Sequence, residues 1–378
     1  MTPESWGDGT RSVRAGEAAP VPGAPLRPSP VFAAPFHLGD QAPRAGGADA
    51  YARTEHPTLR DFETAVGELD RGRCLSFATG MAAITAAVLP FVRAGDRVVL
   101  PSDGYYTTRL LASDELERFG VRTDLVPTLE IEAAAARGDQ HDARLVLLET
   151  PSNPQLDVCD IAAVSRATRA AGALLVVDNT TATPLGQRPL ELGADLTVGS
   201  DTKALTGHSD LLLGHVSTTD DALYDRIAGW RGHTGSTPGP FEAWLGHRSM
   251  STLDLRLARQ AENAAALVPV LRAHPAVTDV RWPGDPADPA HAVAARQMRR
   301  WNGVLRFTLS SEQAVGEFLA ASRLVGSATS FGGPRSTADR RRRWGDEVAP
   351  GLLRFSAGCE DPEDLVADVR LALDAITR

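Results

Sequence analysis

Residues 174–210 read LLVVDNTTATPLGQRPLELGADLTVGSDTKALTGHSD. Two short apolar runs stand in this stretch, at 174–177 and 196–198. Runs of this length, bounded by turn residues, predict strands buried on both faces of a parallel sheet. The first run ends in Asp178 and Asn179, the second in Ser200, Asp201, Thr202 and Lys203. In an open α/β sheet a ligand sits beyond the carboxyl ends of the strands, so these polar groups should share one crevice. Lys203 is the chain's single lysine; the 39 basic residues are otherwise all arginine. A position that takes lysine in such a chain asks for a primary amine. Guanidinium stays protonated to a pKa of roughly 12, whereas a lysine amine can be lowered to neutrality by its site.

Further strands are predicted at 96–101, 143–150 and 211–217, with helices at 58–70, 80–92 and 160–172. Strand alternating with helix means an α/β layer with a mostly parallel sheet. The ends of these strands add Tyr105 and Tyr106 after the first, and Asn153 in PSNP (151–154) after the second. In FATGMAA (77–83), Thr79 is a candidate N-cap with Gly80 just inside the helix. A helix start of this kind binds anions, and glycine lets a phosphate approach. Ser200 and Thr202 can add hydroxyls. A phosphate cup, an aromatic platform, a buried carboxylate (Asp178) and an amine together suit pyridoxal phosphate, with Lys203 as the Schiff-base amine and Asp178 holding the ring nitrogen protonated.

Beyond residue 235 the texture changes. A loop at 231–240 leads into one long helical run at 241–275, then three β-like segments with helices among them, a smaller α+β unit. Residues 1–50 are rich in proline, glycine and alanine and predict either a disordered segment or an extended arm, with Val31, Phe32 and Phe36 to bury against another subunit. The expected division is an arm at 1–55, a cofactor-binding α/β domain at 56–235 and a C-terminal α+β domain at 236–378.

With 378 residues the chain can bury a large core without staples. A net charge of −9 argues against nucleic acid or a membrane surface as partner. The basic run DRRRRWGDE (339–347) is flanked by acids and reads first as a solvated loop or helix end, with an anion contact as the alternative. Cys74, Cys159 and Cys359 are too few and too scattered for a disulfide or zinc framework, and each reads as a small buried hydrophobe. No metal site is expected. No apolar run is long enough to span a bilayer, and the N-terminal order of residues is not that of a signal peptide, which predicts a cytoplasmic protein. A nucleotide-dependent oxidoreductase on the same kind of sheet lacks its GxGxxG after an early strand. A non-catalytic protein keeping the fold is disfavoured by the intact Lys203, Asp178 and Arg354.

YARTEHPT (51–58), FATGMAA, ETPSNP (149–154), VDNTTATPLGQRPLELGADL (177–196), SDTKALTGHSD (200–210) and LLRFSAGCEDPEDL (352–365) resemble, in order and spacing, the Cys/Met-metabolism pyridoxal-phosphate enzymes. That family includes cystathionine γ-lyase, cystathionine γ-synthase and methionine γ-lyase. The resemblance implies a fold-type I transferase with a seven-stranded, mostly parallel sheet flanked by helices, plus the smaller C-terminal domain. It implies that Lys203 carries the cofactor and shuttles protons, Asp178 pairs with its ring nitrogen, Asn153 faces its phenolic oxygen and Tyr105 stacks on its ring. Gly80, Met81, Ser200 and Thr202 would hold the phosphate, with Tyr51 and Arg53 reaching it from a neighbouring subunit in a tetramer built of dimers. Tyr51, Ser330 and Arg354 would contact the amino-acid substrate, Arg354 gripping its α-carboxylate in a bidentate fork.

Departures from the family pattern fall around the substrate's far end. Thr329 stands where glutamate is frequent, Thr107 where methionine γ-lyases have cysteine, His56 where asparagine is frequent, and the segment 334–350 is short. The expected activity is γ-elimination, cystathionine γ-lyase first, with γ-replacement of the synthase or O-acyl-homoserine sulfhydrylase type, or a specialised γ-substitution, as the alternative.

Overall fold

The computed structural model describes residues 6–17, 19–40, 49–137 and 142–376. Seven strands form the larger sheet: β1 (Arg73–Phe77), β2 (Arg97–Pro101), β3 (Arg122–Val126), β4 (Ala143–Glu149), β5 (Leu174–Asp178), β6 (Leu196–Gly199) and β7 (Gly214–Thr218). Their order is β1-β7-β6-β5-β4-β2-β3. Only β7 runs against its neighbours β1 and β6; the other pairings are parallel. The apolar runs have the predicted cause. Along β4, Leu145 and Leu147 pack on one face with the helix Gly80–Val88, while Val146 and Leu148 pack on the other with the helix Ile161–Ala170. Both faces are sealed, so alternation disappears from the sequence.

The smaller sheet comprises β8 (Thr278–Arg281), β9 (Val304–Thr308), β10 (Gly326–Ser327), β11 (Thr337–Arg340) and β12 (Leu352–Ser356), in the order β10-β11-β12-β9-β8. Its core joins Phe307, Phe318 and Phe355 to the helices Leu253–Ala273 and Pro362–Asp374.

Four expectations need correction. The helical run 241–275 is two helices, Pro240–Met250 and Leu253–Ala273, parted at Ser251 and Thr252. The arm is not extended throughout. Asp8–Arg14 form a helix held to the same chain by Asp8 Oδ1, which accepts from buried Arg188 at 2.6 Å. Residues 19–40 follow without a regular element apart from one bridge, Pro35 to Tyr51. The 339–347 run is not a solvated loop: it is the end of β11 and a tight turn at Arg341–Trp344, with Asp339, Arg341 and Asp346 buried and only Arg342, Arg343, Gly345 and Glu347 exposed. Opposite charges five residues apart have folded onto each other. Cys74 and Cys159 are buried as expected, Cys359 only partly, and all three thiols are free. Among the described residues no helix is long and apolar enough to cross a membrane, and no cluster of metal-ligating side chains occurs.

Candidate active site

The carboxyl ends of β2, β4, β5 and β6 open on a cavity of about 450 Å³. Gly80, Met81, Tyr105, Asn153, Asp178 and Lys203 all line it, as do Ser200, Thr202, Ser330 and Arg354. The sequence reading therefore converges on one place. Tyr51 and Arg53 do not line it. Tyr51 is half exposed, and Arg53 donates to the carbonyl of Gly232.

One end of the cavity is the start of the helix Gly80–Val88. Thr79 Oγ1 caps it by accepting from Ala82 N at 3.0 Å. A helix start leaves N–H groups without intrahelical partners, ready for an anion. A Cβ at residue 80 would stand 2.5 Å from Ser200 Cβ, so this close approach requires glycine. Ser200 is itself placed by its N–H, which donates to Thr180 Oγ1 at 2.8 Å. Thr202 lines the cup, but its hydroxyl is already engaged with the backbone of Leu213, donating at 3.2 Å and accepting at 3.0 Å.

Asp178 ends β5, buried, with Oδ1 accepting from Thr180 N at 2.9 Å. Burial raises its pKa, opposed by the bonds from Thr180 and by the charges of His215 and Lys203. The Lys203 amine is lowered to about 8, by burial first and by the Arg354 guanidinium second, against the pull of Asp178. Arg354 on β12 is fixed on two sides: Nη1 donates to Asn153 Oδ1 at 2.8 Å and Nη2 to the carbonyl of Ser330 at 2.9 Å. Ser330 has φ 72°, a left-handed backbone rare outside glycine, at the turn that presents this carbonyl. The Phe331 ring lies beside both cations, 5.8 Å from Lys203 Nζ and 5.1 Å from Arg354 Cζ.

The cavity holds a cradle only glycine permits, a buried carboxylate, an amine poised near neutrality and an aromatic ring. These donors fit pyridoxal phosphate.

Sequence reasoning missed three contributors. Glu149, the last residue of β4, is buried beside Asp178 in sheet register and lines the cavity. Trp344 stacks on Tyr106 with centroids 6.1 Å apart, and both rings line the cavity. Arg341 also lines it, tied to Asp339 at 3.0 Å and to Asp346 at 2.8 Å. Asp346 in turn accepts from Arg109 at 3.0 Å, and Arg109 holds the carbonyls of Ser102 and Gly104, so the short segment clasps the loop that carries Tyr105. The glutamate of ETPSNP and the acids flanking the arginine run of 339–347 were the available signals.

Residues 23–374 match the family model described as "Cys/Met metabolism PLP-dependent enzyme". The chain belongs to this family. It is 50% identical to a "Putative cystathionine gamma-lyase" of Streptomyces coelicolor, over 98% of this chain and 94% of the relative. It is 35% identical to the "Cystathionine gamma-synthase" of Mycobacterium tuberculosis, over 97% of each. The crystal structure of metB from Corynebacterium glutamicum superposes with a TM-score of 0.93 at 32% identity, over 99% of each chain. The family makes this chain a pyridoxal-phosphate enzyme of the transsulfuration type, with the fold-type I architecture expected, and supports γ-elimination or γ-replacement chemistry.

Proposed function

We propose that the chain is a cystathionine γ-lyase, converting L-cystathionine and water to L-cysteine, 2-oxobutanoate and ammonia. The observation that carries this reading is one cavity lined by Lys203, Asp178 and Arg354, in a chain 50% identical to a relative named as a putative cystathionine gamma-lyase. Pyridoxal phosphate, when bound, supplies a ring that draws off the electron pair released at the substrate α-carbon. Asp178 would hold the proton on the ring nitrogen, and Asn153 and Tyr105 would hold the ring itself. Gly80, Met81 and Ser200 would hold the phosphate at the helix start, with Thr202 supporting the Leu213 backbone beside it. Arg354 receives the α-carboxylate with Ser330 adjacent. In its neutral form Lys203 Nζ takes the proton from Cα, then handles the proton lost from Cβ, so that the thiol leaves from Cγ.

Tyr51 and Arg53 are assigned to a neighbouring subunit's site within a tetramer. Neither lines the cavity of its own chain, which supports this, as does the exposure of Phe32 and Phe241. The separation of the two sheets supports the domain division at 56–235 and 236–378.

The test is product analysis. Cystathionine should yield 2-oxobutanoate and cysteine in equal amounts, and Lys203→Ala should lose both this activity and the visible absorption band of the loaded enzyme. γ-Replacement is the second reading, favoured by the synthase similarity over 97% of both chains. Formation of cystathionine from an O-acyl homoserine and cysteine, with no 2-oxobutanoate from cystathionine, would replace the first reading by the second.

A further inference from the structure

The mechanism above leaves one buried acid of the cavity without a task. Glu149 is 5% exposed, and its two carboxylate oxygens are divided between two loops. Oε2 accepts from the N–H of Tyr105 at 2.6 Å. Oε1 accepts from the N–H of Asn153 at 2.8 Å. Tyr105 lies in the loop after β2 and Asn153 in the loop after β4, so the carboxylate bridges neighbouring strand ends across the sheet. The neighbouring residue is adapted to it. A Cβ at Gly104 would stand 2.7 Å from Pro101 Cγ and 2.9 Å from Oε2, so a side chain there would crowd the proline and the carboxylate that holds the Tyr105 N–H.

Resting on the roles given to Tyr105 and Asn153 in the proposed function, we propose that Glu149 is a positioning residue for the reaction. It sets the spacing between the ring-stacking tyrosine and the asparagine that faces the phenolic oxygen. The same bridge reaches the substrate clamp, because Asn153 Oδ1 accepts from Arg354 Nη1. Glu149 thus governs three contacting residues through two backbone N–H groups while touching no reacting atom. Backbone hydrogen bonds are the right instrument for this. A carboxylate accepting two N–H groups fixes both peptide planes, whereas a packing contact would leave them free to slide. Its side-by-side register with Asp178 also places it where a shift of either loop is felt at the ring nitrogen's partner.

Two variants and three readouts test this. Glu149→Ala removes both acceptors. Glu149→Gln keeps the length and one carbonyl acceptor, but its NH₂ cannot accept, so one of the two N–H groups loses its partner. In Glu149→Ala loaded with pyridoxal phosphate, kcat should fall about a hundredfold with a smaller change in KM, the size of a misplacement near 1 Å. The pH midpoint of the visible absorption band should move, because that band reports the surroundings of the phenolic oxygen and the ring. In the apoprotein, amide hydrogen exchange should quicken at least about tenfold at both Tyr105 and Asn153, but not along β1. Glu149→Gln should quicken one of the two amides and fall between wild type and Glu149→Ala in kcat.

A Glu149→Ala enzyme with unaltered kcat, band midpoint and exchange at these amides, but a lowered Tm, would overturn the proposal and leave Glu149 a structural residue. If Glu149→Ala does not fold, Glu149→Gln decides: no change in exchange at either amide overturns the proposal. Should wild type release no 2-oxobutanoate from cystathionine, the proposed function fails on its own. The band midpoint and the exchange rates still judge Glu149.

Discussion

Burial and the Arg354 guanidinium together bring Lys203 to about 8, so the amine is half neutral at a mildly alkaline pH. Only the neutral amine attacks an aldehyde. The rate at which apoprotein takes up pyridoxal phosphate should therefore climb with pH and reach half its maximum near about 8. Arg354→Ala removes the second cause, and the midpoint should move upward. Stopped-flow absorbance from pH 6.5 to about 10 measures both, and a midpoint that Arg354→Ala leaves in place would refute the coupling. At this scale the sequence was most informative where chemistry forbids substitution. A lone lysine among arginines and an aspartate closing an apolar run could be read directly. Glu149 could not, since a glutamate at a strand end looks like any polar terminus until the N–H groups of Tyr105 and Asn153 are seen to meet on it. Thr202 shows the reverse case: a hydroxyl of the right type in the right place is directed to the Leu213 backbone.

Among the elements, the helix Gly80–Val88 connects fold and site. Its inner face packs under the sheet with Val198 and Val216, and its first residue meets Ser200. Gly80→Ala forces a Cβ to within 2.6 Å of Ser200 Oγ and 3.0 Å of Ser200 Cα, so the cup must open. Affinity for pyridoxal phosphate should fall at least about tenfold in a spectrophotometric titration, a cost of 1.4 kcal/mol or more. Wild-type affinity in Gly80→Ala would show that the cup tolerates widening. The strands ending at this site were legible because burial on both faces writes itself as uninterrupted Val and Leu. Three features were not. The reversed direction of β7 leaves no mark in an apolar run. The break at Ser251 and Thr252 has no proline or glycine beside it to announce it. The helix Asp8–Arg14 is short and depends on a distant arginine, Arg188, for its anchor.

Across the whole molecule, one buried charge cluster ties the larger sheet together. His215 on β7 meets Asp201 Oδ1 through Nδ1 at 2.6 Å and Asp70 Oδ2 through Nε2 at 3.1 Å. Burial works against the imidazolium, but Asp201 and then Asp70 outweigh it, and the pKa rises to about 10. A pKa raised on folding contributes stability that is complete below the unfolded value, about 6.5, and drains away as pH climbs through about 10. His215→Gln should be less stable than wild type at pH 6, with the gap closing steadily toward pH 10 in urea unfolding; a gap independent of pH would contradict the linkage.

The single lysine has a further use outside enzymology. The protein's exterior carries no ε-amine, because the only one lies within a cavity that admits small molecules. Amine-directed dyes, crosslinkers and acylating reagents, which ordinarily coat a protein at random, here have one side-chain target. Side-chain acylation followed by mass spectrometry becomes a direct gauge of whether that cavity is open, filled or shielded.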